Sequence, residues 1–79
     1  MNDIEALFKQ FIGRPHSEAY AMRLILGDHI PGRQWGLDTS YITEVTTMIP
    51  DGGKIHHIHI KWNKDRIITE VTHEGAYRV

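Results

Sequence analysis

The sequence predicts an α+β domain of order ααβββ: two short N-terminal helices packed on a three-stranded antiparallel meander sheet. Two observations carry this prediction. Apolar residues recur at helical spacing as far as Leu26, and from Tyr41 onward the apolar period switches to two. A third is punctuation, because Gly13, Gly27, Pro50-Asp51-Gly52-Gly53 and Asn63-Lys64-Asp65-Arg66 fall where elements must end.

The first helix is capped by Asn2 or Asp3. Ile4, Leu7, Phe8, Phe11 and Ile12 then fall at i, i+3, i+4, i+7 and i+8, one apolar stripe. Gly13 ends it, and Arg14-Pro15 forms the joint, since proline suits the first turn of a new helix. The second helix runs from about Pro15 to Leu26 and is expected to bury Ala19, Met22, Ile25 and Leu26, with Gly27 as its stop. Residues 27–40 carry no period. A long aperiodic stretch within a compact domain is often functional, so Trp35 is either a lid on the core or an exposed binding anchor. Strands are expected at about 41–49, 54–62 and 66–73.

Seventy-nine residues make one domain, 1–79. With no cysteine, disulfides, thiolate metal sites and a Cys nucleophile are excluded, and a reducing compartment fits. The net charge of −1, without blocks of like charge, argues against nucleic acid as a partner. No apolar run reaches the ~20 residues that span a bilayer, so no membrane role is expected. MNDIEALFKQF lacks the basic and apolar regions of a signal peptide, so a cytoplasmic location is expected.

Two-residue hairpin loops at Asp51-Gly52 and Lys64-Asp65 would set the register. One face then carries Tyr41, Thr43, Val45 and Thr47, with His56, Ile58, Ile60, Trp62, Ile67, Thr69, Val71 and His73, and faces the helices. The rows Tyr41–Trp62–Ile67 and Val45–Ile58–Val71 would cross it. The opposite face carries Ile42, Glu44, Thr46, Met48, Ile55, His57, His59, Lys61, Ile68, Glu70 and Thr72. Its rows would read Glu44–His59–Glu70 and Thr46–His57–Thr72. A histidine between two carboxylates is an ion-paired triplet whose pKa the carboxylates should raise.

That face has three readings: a solvated surface, a protein-binding surface and a metal site. The binding surface would use Trp35, Ile42, Glu44, Met48, Ile55, His57, His59, Ile68 and Glu70. The metal site would use His57, His59, Glu44 and Glu70, because imidazole and carboxylate suit zinc or a similar divalent ion. Phosphate-loop, G-x-S-x-G and H-E-x-x-H motifs are absent. Asp28-His29 is the one adjacent acid/base pair in the long loop, and enzyme is the minority reading.

Gly13-x-Pro15-x-Ser17-Glu18-Ala19, Trp35 in the following loop and the closing HIHIKWNKDRIITEV together resemble the helix-helix-sheet modules of SmpA/OmlA-like assembly lipoproteins and beta-lactamase inhibitory protein. The same glycine-to-alanine stretch is similar to the helix of potato inhibitor I-like protease inhibitors. The resemblance implies the ααβββ order and a module that binds proteins rather than catalyses. The leading expectation is therefore a small non-enzymatic binding, inhibitor or regulatory protein with no cofactor. It would act through its open sheet face, an edge strand or the Trp35 loop on a protein partner or on a second copy as a homodimer. Metal binding is the alternative.

Overall fold

The computed structural model of the chain describes residues 3–28, 35 and 41–78. The elements are α1 (Asp3–Lys9), α2 (His16–Leu26), β1 (Glu44–Asp51), β2 (Lys54–Trp62) and β3 (Ile68–Arg78). The strands form one antiparallel sheet in the order β1-β2-β3, with both helices on one side. The ααβββ prediction is therefore realised. Asn2, the alternative first cap, and His29 lie outside the described residues. No described helix is long and apolar enough to cross a membrane.

The joint between the helices does more than turn the chain. Gly13 N–H donates to the Ile68 carbonyl at 2.8 Å, and Ile68 N–H donates to the Arg14 carbonyl at 2.9 Å. Pro15 bridges Ile67 in the same antiparallel sense, so the joint pairs with the start of β3 as a stub of fourth strand. α2 closes on Gly27 at φ 96°, a left-handed conformation that costs glycine nothing. The Asp28 and Gly27 N–H groups reach back to the Arg23 and Leu24 carbonyls, the double bond of a Schellman cap.

The inward stripe of α2 differs from the expected one. Its buried residues are His16, Ala19 and Arg23, whereas Ile25 is 78% exposed. Aromatic neighbours make this arrangement possible. The Arg23 guanidinium lies 4.2 Å from the Tyr20 ring centre and 6.0 Å from that of Trp35, where the π-faces replace part of its hydration. His16 lies against Trp62 with ring centres 4.6 Å apart.

The first hairpin turns at Gly52-Gly53, one residue later than expected, with Asp51 opposite Lys54. Both glycines have positive φ (54° and 87°), which the favoured two-residue turn demands and glycine adopts at no steric cost. Every β1–β2 pairing therefore moves by two residues, and both strands keep their predicted faces. The second connection is a five-residue loop, Asn63–Ile67, rather than two residues. The Asn63 side chain accepts the N–H groups of Asp65 and Ile67, and Arg66 takes a left-handed φ of 63°. A bulge follows between Lys61 and Trp62, and a second between His57 and Ile58.

These changes overturn both expected core rows. Trp62 faces Ile68, not Ile67, and Val45 faces Ile60, which in turn faces Val71. Tyr41 is 81% exposed rather than core. The fully buried centre is Phe8, Ala19, Trp35, Ile49, Ile58 and Ile60, with Thr47 among them.

Candidate functional site

Among the described residues, one sheet face has no helix layer. The two-residue shift changes which side chains meet on it. The observed rows are Glu44–Lys61–Glu70, Thr46–His59–Thr72 and Met48–His57–Gly75. The expected Glu44–His59–Glu70 triplet is therefore not a row. His59 keeps one carboxylate by a diagonal contact: its Nε2 lies 3.2 Å from Glu44 Oε1. Its Nδ1 lies 3.0 Å from Thr46 Oγ1, and that hydroxyl donates to Glu74 Oε1 at 3.2 Å. A polar network thus crosses all three strands. Glu70 belongs instead to Lys61, with 3.9 Å between Nζ and Oε2.

The other end of the face is aromatic and apolar. Tyr77 packs edge-on against His57 with ring centres 4.8 Å apart. Its phenol lies over Gly75, where an added Cβ would sit 3.0 Å from the hydroxyl oxygen. The absence of a side chain at Gly75 leaves room for this close approach of the ring. Met48 (41% exposed), Tyr77 (56% exposed) and partly buried Ile55 complete this end.

Several expected site residues lie elsewhere. Trp35 is fully buried, stacked on Trp62 at 6.3 Å and 6° and edge-on to Tyr20 at 5.7 Å. It is the lid of the core, because the indole can cover Trp62 only by folding back from its loop. Ile68 is also core, turned inward by the bulge that follows the longer loop. Ile42 precedes β1, packs partly on the core, and its carbonyl accepts the Trp62 Nε1 hydrogen at 3.0 Å. Glu44, Met48, Ile55, His57, His59 and Glu70 remain on the open side.

The proposed metal ligands do not converge. His57 is engaged with Tyr77 and Glu70 with Lys61, and only Glu44 and His59 meet. Among the described residues no three His, Asp or Glu side chains are arranged to hold a metal ion.

A second polar set lies on the helix side. His56 contacts Asp51 through Nε2 at 3.2 Å and His73 through Nδ1 at 3.1 Å. Near the end of α2, buried Thr47 donates its hydroxyl hydrogen to the Asp28 carboxylate. The Arg23 guanidinium donates to the Asp28 carbonyl at 3.2 Å. Burial holds the His16 pKa below the ordinary histidine value, and the Arg66 cation adds to that effect, against the carbonyls of Trp35 and Arg66. These groups join α2, its cap and β1 to the core and are read as structural. A groove along α1 is lined by Glu5, Ala6, Lys9 and Gln10 and holds none of the histidines. The Glu5–Lys9 pair at 2.8 Å flanks it and pulls the Glu5 pKa down.

Sequence reasoning missed Glu74 and Tyr77 because β3 was expected to stop at His73. The signal was present in the tail, since a tyrosine two residues after a glycine continues the strand period. A bulge cannot be counted from periodicity, so the extension stayed hidden.

Family models, curated proteins and solved structures were all compared with this chain, and none matches.

Proposed function

We propose that this chain is a small protein-binding module whose contact surface is the open face of the sheet. One observation supports this reading above the others. The face without helices is two-part, with a cross-strand polar network of Glu44, His59, Thr46 and Glu74 beside an exposed apolar end of Met48, Ile55 and Tyr77. Protein contact surfaces combine an apolar, aromatic centre with a polar rim in this way. Tyrosine and methionine are also enriched there. The network holds its side chains in one geometry, which lowers the ordering cost of binding. With Trp35 in the core, the loop reading loses its anchor, and the open face carries the function.

Site-specific photo-crosslinking in the native host tests the proposal. A crosslinking residue at Met48 or Tyr77 should give one defined adduct, and the same residue at exposed Gln10, just after α1, should not. Met48→Asp with Tyr77→Ser should abolish capture and leave the far-ultraviolet circular dichroism unchanged. Equal labelling from Gln10, or no adduct from either face position, would overturn the reading.

A further inference from the structure

The two edges of the sheet are treated differently. β3 is guarded. Its start is paired with Gly13–Pro15, two bulges break its ladder, and Glu70, Glu74 and Arg78 line it. Natural sheets use such devices against edge-to-edge association. β1 has no bulge against β2, and among the described residues nothing pairs with its outer side. Its charged and proline residues, Glu44, Pro50 and Asp51, lie at its ends.

The hydrogen-bond pattern shows what β1 offers. Trp62 N–H donates to the Thr43 carbonyl at 2.9 Å, so Thr43, and in turn Val45, Thr47, Ile49 and Asp51, direct their backbone groups to β2. The backbone groups of Glu44, Thr46 and Met48 therefore point outward by the alternation of an antiparallel ladder. Pro50, next in that series, has no N–H and closes the row.

We propose that β1 pairs with β1 of a second copy, antiparallel and centred on Thr46, to give a two-fold dimer with a continuous six-stranded sheet. This register is self-complementary. Thr46 faces its own mate, a favourable cross-strand pair, and Glu44 faces Met48, so no like charges oppose. The outward N–H and C=O groups of Glu44, Thr46 and Met48 are satisfied at each other's expense, as an isologous contact requires.

The register also accounts for exposed apolar side chains that the monomer leaves in solvent. Counting outward from Thr46 places Tyr41 of one copy opposite Asp51 of the other. At that end of β1 Gly27 closes α2 against Pro50, with 3.2 Å from the Pro50 ring to the position of a Gly27 Cβ. The last turn of α2 carries exposed Leu24 and Ile25 there. Pairing thus brings exposed Tyr41 of each copy to the apolar end of the other's α2. The two-fold axis is perpendicular to the sheet, so all four helices lie on one side and the two open faces become coplanar. Thr46 and Met48 contribute side chains to the open face as well as backbone groups to the edge. Tyr41→Asp, outside the open-face set, is therefore the variant that separates loss of the dimer from loss of the open-face contact.

Sedimentation velocity from micromolar to millimolar concentration, with amide hydrogen exchange, tests this. The wild-type chain should sediment as a dimer at the upper end, and the Thr46 and Met48 amides should become protected as dimer forms. Thr46→Pro removes an outward N–H without touching the β1–β2 ladder. Thr46→Lys sets two cations against each other on the axis. Each should be monomeric throughout, and Tyr41→Asp should weaken dimerisation at least tenfold. A wild type that stays monomeric, a wild-type dimer in which the Thr46 amide gains no protection, or a Thr46→Lys variant that still dimerises would overturn the proposal. If both Thr46 variants fail to fold, the concentration dependence of wild-type amide exchange decides alone.

Discussion

Replacing Trp35 with alanine separates its two sequence-level roles. An exposed binding anchor could be removed with little effect on stability, whereas the core lid found here could not. The side chain is fully buried, stacks on Trp62 and meets Tyr20 edge-on. Truncating a buried tryptophan costs about 3–5 kcal/mol. A chain of this length has roughly 4–12 kcal/mol in total, at ~0.05–0.15 per residue. At ~4–8 °C per kcal/mol for a domain of this size, the melting temperature should fall by at least about 12 °C. Trp35→Phe should cost less, about 1–3 kcal/mol. It retains an aromatic edge for Tyr20 and removes a buried indole N–H that has no acceptor among the described residues. Thermal melts followed at 222 nm measure stability, and near-ultraviolet dichroism reports the stacked tryptophan pair. A fall of under about 2 °C in Trp35→Ala, far below the expected loss, would refute the core assignment.

Two further outcomes follow from the helix side. His16 has a lowered pKa in the folded chain, so between the ordinary value of 6.5 and that lowered value the unfolded chain holds a proton the folded chain refuses. Its contribution to stability should therefore fall as pH drops through 6.5. His16→Phe should show a smaller loss of urea midpoint than wild type between neutral and mildly acidic pH, and an equal or larger loss would contradict this. Gly27→Ala must hold a Cβ at φ 96° against Pro50, and should lose about 1–2 kcal/mol in chemical denaturation. A stabilised variant would show that the cap is not held as described.

Much of this architecture was legible in the residues, and the failures have identifiable causes. The split of His56 from His57 and His59 between two faces follows from the period of a strand alone, and survived the register error because that error was two residues. The pairing itself did not survive, because it depended on whether Asp51-Gly52 or Gly52-Gly53 made the turn. Positive φ at both central positions decides for the glycines. Ile67 and Ile68 are equally apolar, so only the five-residue loop, held by the Asn63 side chain, shows which one turns inward. In α2 a search for apolar positions selects Ile25 and passes over His16 and Arg23. Those two are buried because Trp62 and Trp35 from distant segments, with Tyr20 of the same helix, pack against them. The open-face network depends on Glu74 and its apolar end on Tyr77, at and beyond a bulge that the pattern cannot count.

In the proposed β1–β1 dimer, the pairing of Gly13–Pro15 with the start of β3 bears on how many copies could add. A sheet with one available edge gains a single two-fold mate and then has nothing left to offer, so growth stops at two. A sheet with both edges available has no such limit, and head-to-tail addition can continue into a filament. In the proposed dimer the short joint between the helices would cover the start of that second edge. If the β1–β1 pairing proposed above holds, unpairing the joint from the start of β3 would open a second edge and let association run past two copies.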